Sequence, residues 1–302
     1  MRPEVRRNVC FVSGGRSDFA LLAPTLRAIA AHPRLNLRII ATGMHLDRRH
    51  GRGVEGLREE GWFVDDVVPW PRCASTLDLA RTTARAQARI AESLRRLRAD
   101  WAVVLGDRVE AFAAASAAAI LRVPLAHVHG GDRAEGQIDE SLRHAITRLA
   151  HVHLAASADS ARRLSAMGEQ KRRIYCVGAP GNEGIRRLAS GWTHVRSRFA
   201  GLARRGYLVL LLHPTQEAAA EEYRRARSVY ETCRRTGLAV VVVSPNNDPG
   251  CEGILRAWRD LRVGNVADLE RGLFLGLVRH AAALVGNSSA GIIEAGALGT
   301  PA

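Results

Sequence analysis

Short apolar runs alternate along this chain with longer segments whose apolar positions recur at helical spacing. The runs NVCFVS (8–13), LNLRIIATG (35–43), WAVVLGD (101–107), PLAHVHG (124–130) and VHLAAS (152–157) predict a first series of strands. RIYCVG (173–178), YLVLLLHP (207–214), LAVVVVSP (238–245) and AALVGNSS (282–289) predict a second. The spacing between them predicts helices over 19–32, 75–98, 109–121, 215–236 and 268–280. Strands dense in Val, Leu and Ile, separated by amphipathic helices, describe parallel sheets covered on both faces, an α/β class. GAPGNEGI (178–185) closes the first series, so two domains are expected, 1–178 and 179–302.

Composition narrows the function. The formal charge is +14, from 44 Lys and Arg against 30 Asp and Glu. That balance alone suits nucleic acid. Its distribution does not: Lys171 is the only lysine, and the arginines are spread along helix faces with no basic tail or aromatic-interleaved patch. No nucleic-acid partner is expected, and the positive field favours small anions instead. Cys10, Cys73, Cys176, Cys233 and Cys251 form no CxxC pair, so reduced thiols, several of them buried in strands, are expected rather than disulfides or a zinc site. No apolar stretch reaches the ~18 residues of a membrane span, and the first apolar run is too short for a secretory signal. Cytoplasmic residence with no membrane partner is the resulting expectation.

In parallel sheets wound this way, ligands bind beyond the carboxyl ends of the strands. The unusual residues fall there: Gly14–Gly15–Arg16, Gly106–Asp107–Arg108, His127 to Asp132, His213–Pro214, Pro245 to Asp248 and Gly286 to Ser289. Two Rossmann-like domains facing a cleft fit this pattern. VGNSSAGIIEAG (285–296) reads as strand, turn and helix, with Ser288 and Ser289 at a helix N-terminus suited to an anion and Glu294 one to two turns on, placed for vicinal hydroxyls. An ordinary serine cap explains the same residues. His213 is a candidate proton donor or charge stabiliser at a strand end. Asp107 is the better acid–base candidate in LGDRVEAF, with Glu110 read as a helix-dipole acid. His127 and His129 alternate on a strand and are expected on one side; with His144 beside Arg143 on the next helix they lack the convergence of a metal site. Asp132, Asp139 and Glu140 near Asp107 instead suit proton transfer at a sugar carbon.

Taken together, GGRSDFALL, TGMHL, GDRVEAFAAASAAAI, HVHGGDRAEGQIDESLRHAITRLAHVH, GAPG, LLHPTQ, SPNNDPG and GNSSAGIIEAGALGTP resemble the hydrolysing UDP-N-acetylglucosamine 2-epimerases, over essentially the whole chain. The resemblance implies a GT-B-like pair of domains, no metal and no cofactor. It implies anti elimination of UDP across C1–C2 of a nucleotide sugar, followed by hydration. By position, Asp107 and Asp139 match catalytic carboxylates and His213 an essential histidine near the diphosphate. Arg16, Arg108, Asn246, Ser288, Ser289 and Glu294 match nucleotide-binding positions, and Arg143 and His144 join the substrate-binding candidates. Glu183 stands where the family often has aspartate. His129 occupies a position that is glutamate in one subgroup, and Asp132 replaces a glutamate one methylene longer; both stay among the candidate catalytic residues. Relatives continue past Ala302 into a further strand and a C-terminal helix, so the second domain is expected to be incomplete, with impaired stability or activity.

Four readings compete. The hydrolysing 2-epimerase leads, in the supply of amino sugars or sialic-type acids. A non-hydrolysing 2-epimerase, a retaining glycosyltransferase and a nucleotide-sugar-binding remnant without catalysis are the others. The identity of the sugar, uridine against guanosine, and a homo-oligomer (dimer or tetramer) stay open, the apolar 109–121 helix serving a subunit face or a core equally well.

Overall fold

The computed structural model describes residues 6–47, 53–71, 73, 75–133, 138–215, 218–267 and 269–302, with Arg16 described by its backbone alone. The first strand, β1 (Arg7–Ser13), shows how the sheet is built. Alternate side chains of a strand face opposite ways. Val9 and Phe11 enter one core, together with Phe19, Leu22 and Leu26 of α1 (Arg16–Ala31). Cys10 and Val12 enter the other, against Ile90 and Leu94 of α3 (Thr76–Arg96) and the alanines of α4 (Val109–Ile120).

The remaining elements of this unit are β2 (Leu35–Ala41), α2 (Gly53–Glu59), β3 (Asp66–Val67), β4 (Trp101–Leu105), β5 (Leu125–Val128), α5 (Ile138–Leu149), β6 (Val152–Ala155), α6 (Ala158–Ala166) and β7 (Ile174–Cys176). Seven strands pair in the order β3-β2-β1-β4-β5-β6-β7, every pair parallel. Burial on both faces explains the continuous Val/Leu/Ile runs that the sequence shows. α4 buries Ala111, Ala113, Ala114, Ala115, Ala117 and Ala118 between α3, α5 and the sheet. Methyl side chains let those backbones approach closely.

The described residues up to Gly181 form one compact unit, and Asn182–Ala302 form another. The second unit contains α7 (Ile185–Leu188), α8 (Trp192–Arg198), β8 (Tyr207–Leu211), α9 (Ala219–Arg235), β9 (Ala239–Val243), α10 (Cys251–Asp260), β10 (Asn265–Val266), α11 (Arg271–His280), β11 (Ala283–Gly286) and α12 (Ala290–Leu298). Its sheet runs β10-β9-β8-β11, again all parallel. Tyr207 and Val209 face a core with α8, α11 and α12; Leu208 and Leu210 face one with α9 and α10. Past α12 the chain turns through Thr300, and the Pro301 carbonyl accepts the Leu284 N–H of β11 at 2.9 Å.

Both units are α/β with parallel sheets. β1 ends at Ser13 as predicted, whereas the other predicted strands end two or three residues earlier than the apolar runs suggest, because their last positions have become the loops that carry the polar groups. Among the described residues, no helix is long and apolar enough to cross a membrane. All five cysteines are free thiols, but Cys176 on the edge strand β7 is exposed rather than buried.

Candidate functional site

Each sheet changes winding direction at one place: between β1 and β4 in the first unit, and between β8 and β11 in the second. Such a switch point opens a crevice at the carboxyl ends of the two strands. The candidate residues divide between these two places and the neighbouring β5–α5 region.

At the first switch point, the Gly14–Gly15 turn ends β1 directly over Glu110 of α4. Gly43 (φ +60°) closes the pocket; a Cβ there would lie 2.4 Å from the Gly14 carbonyl and 2.6 Å from Glu110 Oε1. Glu110 is 2% exposed and accepts two hydrogen bonds from Arg108, Nε and Nη2 each at 3.2 Å. Glu110 lies in the first turn of α4, as expected of a helix-dipole acid, and is also the buried counter-ion of Arg108. Lost solvation pushes the nearby Asp18 carboxyl up to about 6, opposed by Arg108 and reinforced by Glu110. The side chain of Arg16 lies outside the described residues.

Asp107, just past β4, forms a close ion pair with Arg143 of α5. Arg143 Nη1 also lies 4.0 Å from Glu140, whose other oxygen is 3.3 Å from His144 Nε2. Arg143 is buried, and its Nε and Nη1 make no hydrogen bond among the described residues. Burial, with Arg163 nearby, lowers its pKa to about 10, so it stays charged at neutral pH. Glu140 thus shares this arginine with Asp107. Asp139 sits half-buried in the first turn of α5. Residues 134–137 of the same motif lie outside the described residues.

The two histidines of β5 part company, contrary to the expectation from alternation. His127 is 0% exposed; its Nε2 donates to the Gly106 carbonyl at 2.7 Å, and its Nδ1 accepts from the Thr147 hydroxyl at 3.2 Å. Burial lowers its pKa to about 4, which keeps it neutral. It is a bridge between β4, β5 and α5. His129 lies past the end of β5 with φ +65°, so its side chain leaves the alternation. Its Nδ1 is 2.7 Å from Asp132 Oδ2, and Asp132 Oδ1 accepts from Ser160 at 2.6 Å. Burial alone would raise the Asp132 pKa; the hydrogen bonds from His129 and Ser160 and the charge of Arg163 outweigh it and hold the carboxyl below its usual value. A carboxylate can only accept, so His129 carries its proton on Nδ1. Among the described residues its buried Nε2 has no hydrogen-bond partner.

At the second switch point, Asn287 joins the two strands: its Oδ1 accepts from His213 N–H at 2.8 Å and its Nδ2 donates to the His213 carbonyl at 3.0 Å. The Asn246 N–H donates to His213 Nδ1 at 3.1 Å, so the neutral ring carries its proton on Nε2. The loop is braced from α9 by buried Glu222, which accepts from Thr215 N–H at 2.6 Å, and by Arg225, which donates to the His213 carbonyl at 2.8 Å. Gly286 has φ +149°, and a Cβ there would lie 1.9 Å from the Leu211 carbonyl; only glycine lets β11 leave beside β8. Ser288 Oγ accepts from Ala290 N–H at 3.3 Å, and Ser289 caps α12 with no side-chain hydrogen bond, which leaves its hydroxyl outside the cap.

Glu294 is buried and ion-paired with Arg271 Nη1 at 2.6 Å, an arginine the sequence reading missed because it belongs to no motif and lies 23 positions away. At least one Glu294 oxygen is thus engaged before any ligand hydroxyl arrives. Glu183 is exposed at the start of the second unit. Among the described residues no group of three or more His, Cys, Asp or Glu side chains converges to hold a metal ion.

Two parallel-sheet units, each with polar residues at its switch point, define an α/β class in which ligands bind at the carboxyl ends of the strands. The family model described as UDP-N-acetylglucosamine 2-epimerase matches residues 27–302, and the chain belongs to that family. It is 31% identical over 297 residues to the UDP-N,N'-diacetylbacillosamine 2-epimerase (hydrolyzing) of Legionella pneumophila, covering 96% of this chain and 78% of that one. It is 30% identical over 305 residues to a UDP-N-acetylglucosamine 2-epimerase of Neisseria meningitidis, covering 98% and 78%. Its fold matches the crystal structure of UDP-GlcNAc 2-epimerase from Neisseria meningitidis bound to UDP-GlcNAc, with a TM-score of 0.81 at 18% identity over 97% of this chain and 81% of that one.

Proposed function

We propose that this enzyme is a hydrolysing 2-epimerase that converts a UDP-linked 2-acetamido sugar and water into the free 2-epimeric sugar and UDP. The observation that carries the reading is the cluster of Asp107, Arg143 and Glu140 beyond β4, where two carboxylates share one buried arginine. That arrangement suits proton transfer at C2 of the sugar. His213 presents Nε2–H to the departing diphosphate, while Ser288, Ser289 and the α12 N-terminus hold its oxygens. By the family resemblance Asp139 is assigned with Asp107 to the catalytic carboxylates, and His144, Asn246, Glu294, Arg16, Arg108 and Glu183 to substrate contacts. Elimination breaks the C2–H and C1–O bonds and forms C1=C2; hydration then places OH on C1 and a proton on the other face of C2.

The hydrolysing subtype is supported by the similarity to the Legionella pneumophila protein named as hydrolysing. It fits a role in supplying amino sugars for sialic-type acids. Incubation with UDP-N-acetylglucosamine and UDP-N,N'-diacetylbacillosamine in D2O, followed by proton NMR, tests it. Free sugar of manno configuration, deuterated at C2, is expected together with UDP. A C2-epimer still attached to UDP would establish the non-hydrolysing reaction instead. Binding without turnover would establish the non-catalytic reading.

A further inference from the structure

The two histidines of HVH stand two residues apart and are treated oppositely by their surroundings. Both nitrogens of His127 are hydrogen-bonded. His129 has one nitrogen held by a carboxylate and the other buried with no partner among the described residues. It also sits at φ +65°, a left-handed conformation uncommon for a residue with a side chain. An unused buried acceptor and a strained backbone at the same residue both oppose folding, and such combinations concentrate at functional sites.

The far side of Asp132 explains what holds this arrangement. Ser160 donates to its Oδ1, and Ser160 is itself held by Ser157, the cap of α6, at 2.8 Å. Arg163 reaches both Ser160 Oγ, at 3.3 Å, and the Gly131 carbonyl. Asp132 is thereby fixed between a helix start and the imidazole. It does not need to reach a substrate to matter.

We propose that His129 is a proton acceptor through Nε2, and that Asp132, backed by Ser160, is the positioning residue that fixes the Nδ1-protonated tautomer. The proposal rests on the 2-epimerase reading for its substrate, a nucleoside diphosphate sugar bearing a 2-acetamido group. In the elimination step the Nε2 lone pair takes the C2 proton, the C2–H electron pair becomes the C1=C2 bond, and the C1–O pair leaves with the diphosphate. In the hydration step a protonated carboxyl of the Asp107–Glu140 cluster delivers a proton to C2 on the opposite face, water adds its OH to C1, and the proton that the water loses returns to that carboxylate. Asp132 keeps its negative charge throughout, stabilising the imidazolium that forms, as an orienting carboxylate does in acyl-transfer triads.

Histidine 15N NMR of the wild-type chain tests the tautomer without any substitution, the His129 signals being assigned by their loss in His129→Gln. Protonated Nδ1 with bare Nε2 is expected; a proton on Nε2 overturns the proposal. Kinetics with UDP-N-acetylglucosamine test the role. Asp132→Asn is expected to lower kcat about 10²-fold with KM changed less than about threefold, and Asp132→Glu to recover most of that loss. His129→Gln is expected to lose about 10³-fold in kcat. Wild-type kcat in Asp132→Asn, or in His129→Gln, overturns the assignment. If the wild type releases no UDP from any nucleotide sugar, the hydrolysing reading falls, whereas the tautomer still decides whether Asp132 orients His129.

Discussion

His129 in the first unit and His213 in the second occupy equivalent stations, each at the end of a parallel strand, yet their rings are held in opposite tautomers. Asp132 accepts from Nδ1 of His129 and leaves Nε2 as an acceptor. The Asn246 backbone N–H donates to Nδ1 of His213 and leaves Nε2 as a donor. One fold thus leaves an acceptor nitrogen in one unit and a donor nitrogen in the other by changing only what touches the far nitrogen. The same division holds around them. The first unit gathers charged groups, Asp107, Arg143, Glu140, Arg108 and Glu110, whereas the second presents Asn287, Ser288 and Ser289 and pairs its buried carboxylates, Glu222 and Glu294, with the half-buried Arg225 and Arg271.

The sharpest way to break this comparison is to remove the donor. His213→Ala should lower kcat about 10³-fold while UDP affinity, read by calorimetry, changes less than about tenfold. An equal loss in affinity and rate would make His213 a nucleotide anchor and erase the contrast.

The next effect is one of stability. The pKa of His127 falls from 6.5 to about 4 through burial, so its neutral form belongs to the folded state. Its contribution is complete above pH 6.5 and is lost as pH falls through about 4, amounting to about 3 kcal/mol. Unfolding followed by denaturant at a series of pH values should show this decline, and His127→Asn should flatten it. His153 and His280 are lowered in the same sense by burial and will keep part of the slope. An unchanged slope in the variant would remove His127 from the account.

The smallest effect sharpens the second unit. Asn287→Ala removes two hydrogen bonds to the His213 backbone, each worth about 1 kcal/mol. A rise of about tenfold in KM, with kcat altered less, is the expected kinetic result. A fall in kcat alone would mean that Asn287 positions the proton rather than the nucleotide.

The central strands and their polar ends were legible because parallel strands buried on both faces leave uninterrupted Val, Leu and Ile. The edge strands Asp66–Val67 and Asn265–Val266 were not, since two residues carry no periodicity. Asp107 and His213 stood out at strand ends, whereas Arg143 entered only as the neighbour of His144 on a helix. The partners that define what those residues can do did not stand out. Arg271 and Glu294 lie on different helices, and Glu222 and Arg225 look like one more charged helix face until the fold shows Glu222 only 1% exposed. The parting of His127 and His129 was hidden for another reason: alternation predicts side-chain direction only while the strand lasts, and β5 ends between them.

The alanine packing of α4 bears on how this enzyme can change. Methyl groups have no rotamers with which to absorb a displacement, and the N-terminal end of α4 follows directly on Asp107 and Arg108. A bulkier side chain at Ala114, which is fully buried, would therefore displace α4 as a body and with it the junction at Asp107 and Arg108.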